Sequence, residues 1–197
     1  MVDIAPRAAP APPAPPIVRP VTGADVPALR RVIDATGLFP SALLDGMLAA
    51  YLGTSGREPT SAGDGRSAPG GLAATDERWL TVDAPLTDGT PTTLGAVAVA
   101  YAAPERMTDG TWNAYLLAVH PTHQGRGVGA ALMRHLERTL AAEGARVLLV
   151  ETSGLPAFAR TRAFYRGIGY VEEARIREFY AAGEDKVVFW KRLEAPR

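Results

Sequence analysis

Between Ala118 and Met133 the chain reads AVHPTHQGRGVGAALM, and Gly125, Gly127 and Gly129 alternate just before a helical pattern. Glycine costs conformational entropy where nothing requires it. Glycines between an apolar run and a helix start let a ligand approach the backbone, and the helix N-terminus adds free N–H groups and a positive dipole end. The chemistry this suits is the holding of a phosphate-bearing group. A Walker A loop is excluded, because it needs Gly-Lys-Ser/Thr and the stretch has no lysine. A dinucleotide site is the serious rival. Gly125 to Ala130 fits G-x-G-x-x-G/A, and Glu151 lies near the place of a ribose-binding acid. Against it, His120 to Gln124 separate the apolar run from the first glycine, whereas a dinucleotide turn brings its first glycine close behind the strand. An ordinary tight turn is a poorer reading, since it rarely needs three glycines so close. His120 and His123 form an H-x-x-H pair, but no cysteine and no third ligand stand nearby, so no metal is expected.

The elements that must position this loop follow from patterning. TWNAYLLAV (Thr111 to Val119) reads as the strand leading into it. GVGAALMRHLERTLAAEG reads as the helix leading out, with Val128, Leu132, His135/Leu136 and Leu140 along one stripe and Gly144 as its stop. RVLLVET is a buried strand, PAFARTRAFYRGIG a helix, and YVEEARIREF with DKVVFWKRL a closing pair of strands. Upstream, IVRPV, RWLTVDA and TLGAVAVAYAA read as strands, the last two joined by the turn PLTDGTPT. TGADVPALRRVIDAT is a helix with Asp25 as candidate N-cap and Pro27 in its first turn; PSALLDGMLAAYL (Pro40 to Leu52) is another. The order β-α-α-β-β-β-α-β-α-β-β predicts an α/β sandwich, a mixed sheet with helices on both faces.

Composition narrows the classes. The 197 residues suffice for one domain with a sizeable core. Lys+Arg and Asp+Glu are 21 each, a balance that argues against a general nucleic-acid binder. With no cysteine, disulfides, thiolate metal sites and a Cys nucleophile are excluded. No apolar run reaches membrane-spanning length, and proline breaks any signal-peptide core near the start, so a cytoplasmic protein without membrane contact is expected. APRAAPAPPAPP (Ala5 to Pro16) makes residues 1–16 a Pro/Ala-rich tail. Residues 17–194 are expected as a single domain, with a flexible Gly/Ser/Pro-rich insertion at about 53–75.

VHPTHQGRGVGAALM resembles the acetyl-CoA-binding signature of the GNAT superfamily of N-acetyltransferases, Q/R-x-x-G-x-G/A, with Gln124, Gly127 and Gly129 filling it. AFYRGIGY (Ala163 to Tyr170) is similar to the family's second signature, a helix carrying a tyrosine and ending before a G-F/Y strand start. The resemblance implies the GNAT acyl-CoA N-acyltransferase fold, a mixed and mostly antiparallel sheet with helices on both faces. It also implies acetyl-CoA as cosubstrate and a primary amine acceptor, small molecule or protein, acetylated by direct attack in a ternary complex. The protein would be a monomer or homodimer. By likeness, the backbone of Leu117, Ala118 and Val119 pairs with the pantetheine arm. The N–H groups of Gln124, Gly125, Arg126, Gly127, Val128, Gly129 and Ala130 cradle the pyrophosphate. Arg126 adds charge to the phosphates or is a solvated loop residue.

The resemblance makes Tyr165 the donor to the departing thiolate; a core aromatic is the alternative, with Phe164 the more natural residue to point inward. Many members carry an Asn seven positions before this tyrosine, where Phe158 stands here, so Arg160, Thr161 or Arg162 is expected to contact the cofactor instead. The family's frequent basic Glu is replaced by Asn113, which cannot act as a base. Glu151 is the next candidate, since an alkylammonium is almost wholly protonated at pH 7 and must lose a proton before attack. A structural carboxylate is the equal alternative for Glu151. Glu105, Asp109 and Glu178 border the expected acceptor side and read as surface charge. A non-catalytic acyl-CoA sensor or scaffold of the same fold is the runner-up, motivated by Asn113 and Phe158.

Overall fold

The computed structural model describes residues 16–54, 77–85 and 94–194. The Pro/Ala tail up to residue 15, nearly all of the Gly/Ser/Pro-rich insertion and the expected turn PLTDGTPT beyond its first residue lie outside the described residues. Among the described residues seven strands form one sheet: β1 (Val18–Pro20), β2 (Arg78–Pro85), β3 (Leu94–Pro104), β4 (Thr111–Val119), β5 (Val147–Ser153), β6 (Val171–Ala181) and β7 (Glu184–Arg192). Their order is β1-β2-β3-β4-β5-β7-β6. Every neighbouring pair is antiparallel except β4 and β5, which run parallel. The helices are α1 (Val26–Thr36), α2 (Leu44–Thr54), α3 (Val128–Ala142) and α4 (Ala159–Gly167). The element order is the one that patterning predicts.

Alternation along the strands builds a core on each face. On one face α3 buries Leu132, Met133, Leu136 and Leu140 against Ala98, Ala100, Leu148 and Val150. These helix positions recur at three- and four-residue spacing, so one stripe meets the sheet. On the other face α1 buries Leu29, Val32 and Ile33, and α2 buries Leu44 and Leu48, against Trp79, Val99 and Leu116. The turn after α1 needs Gly37, whose φ of +63° suits a residue without Cβ and lets its N–H cap the Ile33 carbonyl.

Asp25 departs from the expected N-cap role. Its side chain makes no cap bond to α1. It reaches back to the Thr22 N–H at 2.8 Å and the Thr22 hydroxyl at 2.9 Å, closing a capping box on the 3-10 turn Gly23–Asp25. The rest of the carboxylate takes Arg19 Nη2 at 2.7 Å, while Arg19 Nε reaches Asp83 at 2.7 Å. Arg19 and the Thr22 donors hold the Asp25 carboxyl down at about 2, against the pull of burial. A depressed folded-state value stabilises the protein above the ordinary aspartate range and loses that contribution as pH falls from about 4 toward about 2. Asp25→Asn is expected to cost about 1–2 kcal/mol at pH 7, discounted because Arg19 is partly in solvent. Urea unfolding of the two proteins at pH 7 and again near pH 2.5 checks this: the gap should shrink in acid, and equal stability at pH 7 would reject the role.

Candidate active site

β4 and β5 pair only from Thr111 to Ala114 and from Val147 to Val150. Beyond that point they separate. The register of β3 against β4 slips between Tyr101 and Ala102, leaving Tyr115 as an extra residue in β4. β5 meanwhile stays paired to β7 through Ser153. A parallel sheet pulled apart in this way leaves unpaired backbone on the β4 side of the opening.

The opening leads into a cavity of about 700 Å³. Leu117 and Val119 of β4 form one wall, His123 to Gly125 with Gly127 to Ala130 form the end, and α4 supplies Arg160, Thr161, Phe164 and Tyr165. The loop is fixed from both sides. The His120 N–H donates to the Val97 carbonyl at 2.9 Å, and Gln124 Nε2 donates to the Val119 carbonyl at 3.0 Å. Gly125 and Gly127 sit at φ +72° and +79°, where side chains other than glycine are strained. That backbone turns the chain sharply into α3. The first intrahelical bond runs from the Ala131 N–H to the Gly127 carbonyl, so the N–H groups of Val128, Gly129 and Ala130 have no carbonyl in the helix to meet. Together with the dipole of a four-turn helix, this end of the cavity is a ready anion site. Gly129 is different: a Cβ there would stand 3.4 Å from Phe164 and 3.5 Å from Val119, so its smallness keeps the floor of the cavity low.

Tyr165, not Phe164, is the inward ring of α4. Tyr165 is 5% exposed, while Phe164 is half-buried in the cavity wall against Gly129. The reason is tertiary: Tyr170 and Phe189 present rings 5.8 and 5.6 Å from Tyr165, and the aromatic cluster takes it. Burial raises the phenol well above its ordinary range. Among the described residues nothing hydrogen-bonds its hydroxyl, and the side chain lines the cavity. It is therefore a neutral, unengaged donor.

Of the other expected site residues, Leu117, Val119, Gln124, Gly125, Gly127, Val128, Gly129 and Ala130 line the cavity. The Ala118 side chain packs on the opposite face, in the α1/α2 core, so only its backbone can serve the opening. Arg126 is exposed. Arg162 is turned away: its guanidinium donates to the carbonyls of Ser153 at 2.7 Å and Leu155 at 2.9 Å, tying the β5–α4 connection, while Arg160 and Thr161 stand on the cavity. Phe158 sits at the start of α4, outside the lining.

Glu151 lies on the face opposite Tyr165, since it alternates with Val150, which packs in the α3/α4 core. The two flank the β4–β5 opening from either side. Glu151 is half-buried and ion-paired with Lys186 at 3.1 Å, and Lys186 also sits 3.8 Å over the Phe179 ring. Sequence reasoning did not foresee this cation. Nor did it foresee that Asn113 is buried with Nδ2 donating to Glu105 at 3.0 Å. Burial of an Asn beside a bulged strand carries no signature in spacing alone.

Residues 90–172 match the family model described as an acetyltransferase (GNAT) domain. Among solved structures, a GNAT-family protein from Desulfovibrio desulfuricans is 26% identical with a TM-score of 0.70, covering 91% of this chain and 99% of its own. The ribosomal-protein-S18-alanine N-acetyltransferase of Escherichia coli is 17% identical with a TM-score of 0.61, covering 92% and 96%. The Salmonella typhimurium protein yncA, solved with its cofactor acetyl-CoA, is 16% identical with a TM-score of 0.64, covering 93% and 97%. No curated protein sequence matches this chain.

Proposed function

We propose that this chain, which carries a GNAT acetyltransferase domain on a GNAT fold, transfers an acetyl group from acetyl-CoA to a primary amine by direct attack in a ternary complex. The observation that supports it most is the form of the β4–β5 opening. It ends in unpaired helix N–H groups at the glycine loop and in an unengaged phenol at Tyr165. These features fit a long thioester whose diphosphate lies at the loop and whose sulfur lies near Tyr165. When bound, acetyl-CoA supplies an activated acyl group; the chain supplies binding, alignment and charge management.

The N–H groups from Gly125 to Ala130 hold the diphosphate, the Gln124 N–H being given to the Pro121 carbonyl at 3.3 Å, with Arg160 adding positive charge at the cavity wall. The backbone of Leu117 to Val119 extends the sheet toward the pantetheine amides. Tyr165 hydrogen-bonds the sulfur as negative charge develops there. Its raised pKa favours donation of a hydrogen bond over complete loss of the proton. Glu151, on the other side of the opening, is the candidate to take the acceptor's proton, directly or through water, with Lys186 holding its orientation. No cysteine is present to carry the acetyl group, which favours a single direct transfer.

Isothermal titration with acetyl-CoA tests the reading. Binding in the micromolar range is expected, and no heat at millimolar ligand would sink it. The engagement of Glu151 by Lys186 favours a second reading, an acyl-CoA-binding domain without transfer. Thiol release from acetyl-CoA with a panel of primary amines separates the two: release supports the transferase, and binding without release supports the sensor.

A further inference from the structure

On the α1/α2 face of the opening, a carboxylate read as surface charge is held in a defined place. Glu105 follows β3 directly, and its N–H donates to the Thr111 carbonyl at 2.8 Å. Its Oε1 accepts two bonds, from Asn113 Nδ2 at 3.0 Å and from the Tyr115 hydroxyl at 2.9 Å. A solvated surface glutamate is not gripped through both backbone and side chain. Among the described residues no Lys, Arg or His pairs with it, and no group bonds its Oε2.

The orientation of Asn113 follows from chemistry. A carboxylate only accepts, so the Asn113 amide must present its NH2 to Glu105. Its Oδ1 is then left buried without a donor, the one such side-chain atom among the described residues. Buried acceptors are normally satisfied, so a donor entering beside Glu105 is what this cluster lacks. The second wall is aromatic. Tyr115 is 52% exposed, its ring lies 5.8 Å from Tyr101, and Tyr101 stacks on Trp79 at 4.3 Å. The Glu105 bond, its charge and burial raise the Tyr115 phenol to about 12, with burial the largest cause, so it stays a donor. Tyr115 is also the extra residue where β4 leaves β5, two positions before the cavity-lining Leu117.

We propose that Glu105, positioned by Asn113 and Tyr115, recognises the ammonium of the acceptor, and that the acceptor is a cationic primary amine carried on an aromatic or apolar group. This rests on the amine-acceptor reading above. A carboxylate with a free oxygen supplies Coulomb attraction, and the exposed tyrosine face adds a cation–π surface and an apolar platform. Glu151, whose charge also reaches Tyr115, is engaged by Lys186, so Glu105 is the carboxylate open to a new cation.

The test is titration of the full chain, without acetyl-CoA, with 2-phenylethylammonium and with its neutral analogue 2-phenylethanol. The ammonium should bind about tenfold more tightly at low salt, as expected for one partly screened charge pair. Glu105→Gln keeps the acceptor oxygen for Asn113 and Tyr115 but removes the charge, and should abolish the preference. Tyr115→Phe should weaken it partially. Equal affinity for amine and alcohol, or a preference that survives Glu105→Gln, overturns the proposal. Because the readout needs no cosubstrate, failure to bind acetyl-CoA would sink the transferase reading separately.

Discussion

Tyr165→Phe is expected to lower kcat by about 100-fold, the usual cost of removing one preorganised donor from developing charge. Acetyl-CoA affinity should stay within about threefold, since the donor acts where charge develops and not on the bound thioester. The variant should fold as well as the parent. Its hydroxyl has no protein partner among the described residues, so removing it breaks no intramolecular hydrogen bond and leaves the contacts to Tyr170 and Phe189. A thermal scan showing an unchanged or higher Tm would separate a catalytic defect from unfolding. The pH dependence has a defined sign. Burial raises the phenol, so rising pH does not remove this donor anywhere below the ordinary tyrosine range near 10. An alkaline loss of rate below that range would have to come from another group. Steady-state kinetics with any accepted amine decides the matter; turnover equal to wild type removes Tyr165 from the chemistry.

Gly127→Val should be the most damaging change in the loop. The residue stands at φ +79°, and a Cβ there meets nothing within 4 Å, so crowding is not the issue. The cost lies in the backbone: a β-branched residue at positive φ is a genuine outlier, worth about 1–3 kcal/mol of strain. The loop would relieve that strain by turning, and the N–H groups at the start of α3 would no longer converge. Acetyl-CoA affinity is expected to fall about 100-fold, or about 2.7 kcal/mol. Gly129→Ala is the instructive contrast. Its Cβ makes ordinary contacts with Phe164 and Val119, so the fold should accept it while the cavity narrows by a methyl group. Calorimetric titration of both variants checks the distinction, and wild-type affinity in Gly127→Val would refute the cradle.

Much of the architecture is legible in the sequence. β4 runs from Thr111 to Val119, as its alternation and flanking turns indicate. α3 buries Val128, Leu132, Leu136 and Leu140, the stripe read from spacing, while His135 is only half-buried at its margin. Such features are local, because period and punctuation are properties of neighbouring residues. The glycine loop was legible for the same reason: positive φ and an open helix start demand particular residues within one turn of chain.

What needed the tertiary structure was everything that depends on which strands become neighbours. Sequence favoured Phe164 as the inward ring, but β7 brings Phe189 against the other side of α4 and Tyr165 is buried instead. Spacing leaves Glu151 equally a candidate base or a structural carboxylate, and only β7, inserted between β5 and β6, shows Lys186 beside it. Glu105 looked like surface charge until the slipped register at Tyr115 turned a phenol and a buried amide onto one of its oxygens. Spacing along the chain determined the glycine loop, the two signatures and the order of elements. Only the closing of the sheet decided which carboxylate is paired, which is open, and which aromatic ring of α4 is buried. Lys186 lies 35 residues beyond Glu151, and both it and Phe189 come from β7, which reaches its place through a strand order that no local pattern encodes.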